Sequence, residues 1–590
     1  MFEPTFNLWD LNGSNGFAIN GIGTYDQSGL SVSSAGDVNG DGFDDLIIGA
    51  NGADANGISY AGQSYVVFGS NSGFGASLNL STLNGSNGFA INGIAQLDQS
   101  GGSVSSAGDV NGDGIDDLII GATTASPNGI RLAGQSYVVF GSNSAWNASL
   151  NLSTLNGSNG FAINGIAAYD DSGRSVSSAG DVNGDGFDDL IIGARLASPD
   201  GIREAGQSYV VFGSNSGFDA GLDLSTLNGS NGFAINGIAA FDLSGISVNS
   251  AGDVNGDGLD DLIIGAYHAD GNGISSAGQS YVVFGSNSGF GAGLDLSTLN
   301  GSNGFAINGI AASDYSGWSV SSAGDVNGDG FDDLIIGARG ASPNGISQAG
   351  QSYVVFGSNS GFGAGLDLST LNGSNGFAIN GIAAYDRSGY SVSSAGDLNG
   401  DGFDDLIIGA SGASRNGIDG AGQSYVVFGS NSGFGAGLNL EELNGSNGFA
   451  INGIAADDLS GWSVSSAGDV NGDGFDDLII GAFRADPNGI NAAGQSYVLF
   501  GRASTPTNQP PVANPDSATT AQNTAVTLEA STLLANDTDA NGDRLSLTGV
   551  SNPVNGSVTF SNGNVIFTPS TNFTGNASFN YSISDGKGGT

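Results

Sequence analysis

SVSSAGDVNGDGFDDLIIGA, residues 31 to 50, recurs six more times along the chain with little change. The first aspartate of its acidic loop falls at Asp37, Asp109, Asp181, Asp253, Asp325, Asp397 and Asp469, a constant step of 72 residues. A fixed period of that size marks a repeat architecture, and it governs how every other segment is read. Seven periods account for roughly Leu8 to Gly501 of the 590 residues.

Each period holds four short strand-like segments between turn residues. In the second repeat they are SVSSAGD (103–109), DLIIGA (117–122), SYVVFGS (136–142) and GFAINGI (160–166), labelled A to D. Strand A is built from small residues, which suits a crowded inner strand. Strand B is apolar on both faces at Leu118, Ile119 and Ile120, so it should be buried. Four-stranded antiparallel units repeated radially make a β-propeller, whereas a stacked solenoid would want atypical polar ends. The termini favour the ring. A D-type strand, GFAINGI at 16–22, precedes the first A strand, and the last repeat stops after its C strand at 496–501. The expected fold is therefore all-β: a seven-bladed β-propeller over 1–501, closed by its N-terminal strand, which removes the open edge.

A Pro/Thr-rich linker, RASTPTNQPP (502–511), leads to a module without the 72-residue period, 512–590. AVTLE (525–529), RLSLTGV (544–550), GSVTF (556–560), NVIFTP (564–569) and ASFNYSIS (577–584) alternate like strands, with a hairpin turn at Ser561-Asn562-Gly563. This reads as an Ig-like β-sandwich. It resembles bacterial cadherin-like domains in ANPDSA, LLANDTDANGD and YSISDGKGGT. That resemblance implies one further strand after Thr590, and hence a longer parent protein.

Composition narrows the chemistry. Only 12% of residues are charged, 105 are glycine, and 39% are hydrophobic, enough for a packed core with many tight turns. The formal net charge is −46; ten of the eleven bases are arginine and the other is Lys587. Nucleic acid and anionic membranes are poor partners for such a surface. Cysteine is absent, which excludes disulfides and thiolate sites. No stretch approaches a membrane span, and MFEPTFNLWD lacks the basic and apolar regions of a signal peptide. The style is that of a bacterial exoprotein, so an extracellular or cell-surface location is expected, with a C-terminal signal outside this chain as the candidate export route.

Four aspartates in each of seven loops hold 28 of the 57 acidic residues. Such crowding costs Coulomb energy unless a cation neutralises it. Asp37, Asn39 and Asp41 stand at positions 1, 3 and 5 of the loop, Gly42 at 6, and Asp45 at 9; Phe43 at position 7 offers its carbonyl. Oxygen donors without histidine or cysteine favour Ca2+ over transition metals. The opening matches an EF-hand loop, but position 12 lacks glutamate and a strand follows. Asp44 is expected to point away from the metal and start strand B.

The equivalent donors recur in every repeat. They are Asp109, Asn111, Asp113, Ile115 and Asp117 in the second, and Asp181, Asn183, Asp185, Phe187 and Asp189 in the third. Asp253, Asn255, Asp257, Leu259 and Asp261 follow, then Asp325, Asn327, Asp329, Phe331 and Asp333. Asp397, Asn399, Asp401, Phe403 and Asp405 form the sixth set, and Asp469, Asn471, Asp473, Phe475 and Asp477 the seventh. Up to seven ions are expected, and seven would bring the formal charge from −46 to −32. Asp537, Asp539, Asn541 and Asp543, with Asp516 or Asp585, would supply one more in the C-terminal module. A tight hairpin turn or a solvated turn is the plain alternative for each acidic segment.

SVSSAGDVNGDGFDDLIIGA followed by SYVVFGS resembles the FG-GAP repeat of integrin α-subunit propellers and their bacterial relatives. Gly49-Ala50 and Phe68-Gly69 carry the name, although the proline that usually follows is missing. The resemblance covers about 500 residues. It implies calcium in the A–B hairpin on the lower propeller face, at the positions given above. It does not imply an integrin β-type partner.

Strands and acidic loops barely vary among the copies, but the D–A turns, such as YDDSGR (169–174) and SDYSGW (313–318), and the B–C loops, such as RLASPDGIRE (195–204), do. In an antiparallel meander these two share the face opposite the A–B loops. The eight repeat arginines, Arg131, Arg174, Arg195, Arg203, Arg339, Arg387, Arg415 and Arg484, lie there with Trp318, Trp462, Tyr25, Tyr169, Tyr315, Tyr385 and Tyr390. Arginine and aromatic side chains favour recognition of protein or glycan, and Trp318, Trp462, Tyr390, Arg174, Arg195 and Arg387 are the candidate ligand contacts. Neutral drift of surface loops explains the same variation. The only histidine, His268, sits in one B–C loop and reads as a surface residue. Without cysteine or a propeller lysine, covalent catalysis has no nucleophile of those kinds, so a non-catalytic calcium-binding adhesion module is expected. An accessory region of a larger secreted hydrolase, or a surface-layer spacer, is the alternative.

Overall fold

The computed structural model describes residues 2–415, 417–503, 510–539, 544–561, 563–586 and 589. The chain divides into two units, Phe2–Ser504 and Thr505–Thr590.

The first unit is a seven-bladed propeller. In the first blade, Ser31–Gly36 (A), Asp45–Ala50 (B), Gln63–Val67 (C) and Gly88–Asn92 (D) form an antiparallel meander. A fifth strand, Ser149–Asn151, then pairs in parallel with D. That strand belongs to the C–D connection of the next repeat, so each repeat reaches back to cover the outer edge of its predecessor. Sequence reasoning expects four strands. The fifth escapes it because three residues, Ser-Leu-Asn, are too few to show alternation, and its partner is distant in the chain.

The ring closes through the N-terminus, as expected. Gly16–Asn20 pairs with Gln495–Leu499 as strand D of the seventh blade. Thr5–Asn7 pairs with Gly448–Asn452 and supplies the fifth strand of the sixth. The N-terminal segment thus completes two blades.

Strand B is buried at every residue. Its alternating side chains serve two cores: Leu46 and Ile48 pack with Ile479 and Val498 of the seventh blade, and Ile47 packs with Leu118 and Ile120 of the second. The apolar core therefore lies between blades. At about 1.5–3 kcal/mol per buried Leu or Ile, each interface is held mainly by these residues. The D-strand phenylalanine of each blade is capped by a ring from the next repeat, as Phe89 is stacked by Trp146 at 4.2 Å and Phe161 by Phe218 at 4.4 Å. In the sixth blade Phe2 takes this role, stacked on Phe449 at 5.0 Å.

Strand A is small because seven of them crowd the axis. The Val104 amide donates to Ser31 Oγ of the preceding blade at 3.1 Å. The same bond repeats around the ring and closes from Val32 to Ser463 at 3.1 Å.

In the C-terminal unit, Val526–Glu529, Asn564–Pro569 and Gly556–Ser561 form one sheet, and Ser546–Val554 pairs with Ser578–Ser584. Leu533, Leu547 and Val565 are its buried core. A short helix, Ala530–Leu533, lies where the sequence shows only a strand end. Asn562 of the expected hairpin turn falls outside the described residues, as does most of the linker.

Candidate functional site: acidic loops and an axial mouth

The seven acidic loops share one conformation. In the second repeat, the Asp109 carboxylate accepts the backbone N–H groups of Gly112, Asp113 and Gly114 at 2.7, 3.0 and 2.8 Å. Asp113 Oδ1 accepts from the Ile115 amide at 3.1 Å. Gly112 and Gly114 have φ of +74° and +85°, left-handed geometry that glycine adopts without strain. Asp117 is fully buried and accepts from Val110 N, Gly141 N and the Asn111 amide.

Burial first, then the neighbouring Asp113 and Asp109 charges, push the Asp117 carboxyl up to about 8. Asp45, Asp189, Asp261, Asp333 and Asp477 stand at about 8 for the same reasons. Three carboxylates per loop thus lie near enough to penalise one another. The donor set is all oxygen, which fits a hard divalent cation, and Asn399 Oδ1 is buried with no hydrogen-bond partner. The carboxylates are nonetheless turned toward backbone N–H donors. Among the described residues, no three acidic or histidine side chains already converge as a metal cage.

Asp44, set aside as a ligand, has a definite role. The Asp37 amide donates to Asp116 Oδ2 of the next blade at 2.9 Å. The same bond links every neighbouring pair and closes from Asp469 to Asp44 at 2.8 Å. The eighth loop position is therefore an inter-blade staple. Its 79-residue span was not visible in the spacing of a single loop.

On the opposite face, the residue before each A strand comes to the propeller axis. Leu30, Gly102, Arg174, Ile246, Trp318, Tyr390 and Trp462 line one cavity of about 180 Å³ together with Ser31, Ser103 and Ser463. One strongly varied column of the repeat is thereby gathered into a single mouth. The residues after each B strand stand beside it: Tyr267 meets Trp318 edge-on at 4.8 Å, and Phe483 lies 4.7 Å from Trp462. Tyr390 bridges the two tryptophans, 5.7 Å from Trp318 and 4.4 Å from Trp462. The Arg339 guanidinium lies 3.5 Å over Trp318.

Of the sequence candidates, Trp318, Tyr390, Trp462 and Arg174 line the cavity itself. Arg195 adjoins Arg174 and bonds Asp171 at 3.0 Å. Arg387 is close enough to Arg339 and Tyr390 to shift both. Sequence reasoning did not single out Ile246, Tyr267 or Phe483, although their positions in the repeat, one column each, were the available signal.

The other arginines sort differently. Arg131 covers Tyr169 and Arg203 covers Phe241, at 5.4 and 5.0 Å. Arg415 is tied to Asp386, a structural contact. Tyr25, Tyr169 and Tyr385 are exposed. His268 packs against Tyr267 and Tyr315, and burial with the Arg339 charge lowers its pKa.

In the C-terminal unit, Asp516 and Asp537 both accept from the Tyr581 hydroxyl, at 2.9 and 3.2 Å. Asp585 is buried and accepts from the Gly589 amide at 2.9 Å. Asn541 and Asp543 lie outside the described residues. Among the described residues, no helix is long and apolar enough to cross a membrane.

Comparison with known proteins agrees with this anatomy. The FG-GAP repeat model matches seven times, at 28–67, 100–139, 172–211, 245–283, 316–355, 388–427 and 460–499. A cadherin-like domain model matches 507–590. The chain is 34% identical over 166 residues to phosphatidylinositol-glycan-specific phospholipase D of Bos taurus, covering 28% of this chain and 18% of that protein. It is 30% identical over 257 residues to integrin alpha-V of Gallus gallus, covering 42% of this chain and 21% of that one. Integrin alpha-4 of Xenopus laevis is 32% identical over 184 residues, 31% of this chain and 16% of that protein. The chain thus spans about a fifth of the length of these relatives.

Proposed function

We propose that this protein, an integrin α-like FG-GAP β-propeller followed by a cadherin-like domain, is an extracellular, non-catalytic binding module. In this reading calcium in the A–B loops stiffens one face, and the opposite face binds a protein or glycan. One observation carries it: a strongly varied repeat column is gathered at one axial mouth, whereas the loops of the other face are nearly identical. Drift alone would have no reason to bring two tryptophans, a tyrosine and an arginine together there.

The calcium assignment rests on seven oxygen-only donor sets, on buried Asp45 and its counterparts penalised by their own neighbours, and on the partnerless Asn399 oxygen. Residues Asp37, Asn39, Asp41 and Asp45, with the Phe43 carbonyl, would hold the ion in the first loop. Such an ion offsets the carboxylate repulsion and rigidifies the hairpin. Calorimetric titration after chelation tests it: uptake of several ions per chain is expected, and no uptake, or one ion, would sink it.

A second reading, an accessory region of a larger secreted enzyme, is favoured by the match to a phospholipase D over a minor part of that protein's length. An array of glycans and matrix proteins, probed in calcium and in chelator, separates the two. Calcium-dependent binding lost in Trp318→Ala and Trp462→Ala supports a binding module. Silence in both conditions from folded protein refutes it and leaves the propeller as scaffold.

A further inference from the structure

Arg174 lines the axial mouth of a chain whose net charge is −46, and three more arginines lie beside its lining: Arg195 next to Arg174, Arg339 over Trp318, and Arg387 near Arg339 and Tyr390. Among the described residues, their only carboxylate contact within salt-bridge distance is Arg195 with Asp171. The Nε atoms of Arg174 and Arg339 are buried and have no hydrogen-bond partner. Buried guanidinium N–H groups without an acceptor are costly, and a carboxylate is the acceptor they fit best. Around them, Trp318, Tyr390 and Trp462 supply flat apolar surface.

Acceptors are present as well. Ser31, Ser103 and Ser463 line the cavity. A ligand carrying one carboxylate and several hydroxyls would use both the donors and the acceptors. An aspartate or glutamate side chain would use only the former. The cavity, about 180 Å³, is smaller than the roughly 300–1,000 Å³ of drug-sized sites, so it admits one small unit. A polyanion would carry further charges out over an acidic surface, whereas a single charge is compensated locally within the Debye length of about 8 Å.

We propose that this mouth binds a saccharide through one terminal uronate. Its carboxylate is held by Arg174 and Arg339, and its ring lies against Trp462 and Tyr390. This rests on the reading above that the variable face is the binding face.

The test uses the full chain in calcium, with methyl glucuronide as probe, followed by calorimetry and tryptophan fluorescence. Methyl glucuronide should bind, while its methyl ester and methyl glucoside bind at least about 10-fold more weakly, the loss expected for one charged hydrogen bond. Arg174→Gln should weaken the glucuronide to the same degree, and Arg131→Gln, which alters only a contact with Tyr169, should not. The ester comparison needs no variant, so misfolding cannot hide the outcome. Equal binding of ester and acid, or no glucuronide binding, overturns the proposal. Equal binding of a glutamate dipeptide reassigns the mouth to acidic peptides and overturns the saccharide. Tighter binding of polygalacturonate overturns the single-charge argument. A protein or neutral-glycan hit on the array alongside glucuronide failure would leave the broader binding reading standing; silence on both removes it too.

Discussion

Phe2→Ala tests how the ring is held shut. The Phe2 side chain is 6% exposed, stacked on Phe449 at 5.0 Å and 6° and tilted against Phe428 at 5.3 Å. Truncating such a ring in a core costs about 3–5 kcal/mol. Yet Phe2 precedes a strand of only three residues, Thr5–Asn7. The protein can escape the penalty by releasing that segment, so the cost is capped at the free energy of local opening. A loss of about 3 kcal/mol raises the open population roughly a hundredfold. Hydrogen exchange by mass spectrometry should show faster exchange in Gly448–Asn452, with little change in the D strands of the other blades and only a small fall in Tm. Phe218→Ala is the contrast: Phe218 stacks on Phe161 at 4.4 Å from within the ring, cannot detach alone, and should lower global stability. Uniform acceleration in all seven D strands after Phe2→Ala, or none in the sixth, would refute this account of closure.

Three further outcomes follow from the same geometry. Asp116→Ala removes the acceptor for the Asp37 amide and should cost about 1–2 kcal/mol in a denaturant midpoint, while Asp116→Asn, which keeps an oxygen there, should cost less; equal losses would show that charge, not the hydrogen bond, is what matters. Burial raises Asp170, Asp242, Asp314 and Asp458 to about 6, which favours their protonated forms in the fold. Their contribution is therefore complete below about pH 4 and lost as pH rises through 6, so Tm in chelator should fall between pH 4.5 and 7; a rise would contradict the burial. Asp117→Asn should lower calcium uptake by one ion per chain and leave the other loops unchanged, which titration counts directly; an undiminished count would remove Asp117 from the ligand set.

Blade number, ring closure and the strands A to D were legible because each repeat states them again. Leu46, Ile47 and Ile48 announce a strand buried on both faces, and GFAINGI ahead of the first A strand announces the closure. What stayed hidden was contact between repeats. Asp116 reaches Asp37 across 79 residues, and Ser149–Asn151 covers a strand about 60 residues upstream. Neither leaves a local period, because both contacts repeat identically in every copy and so look like features of one loop. The candidate mouth was half legible for the converse reason. Trp318, Tyr390, Trp462 and Arg174 stood out by residue type, but Ile246 and Tyr267 look ordinary until the repeats are set in register around an axis. In a ring of near-copies, an invariant column marks where blades hold one another or share a loop design. A varied column that points at the axis is where seven residues of six kinds meet. That asymmetry, set in an otherwise sevenfold scaffold, is what lets a repeated sequence present a single, non-repeating surface.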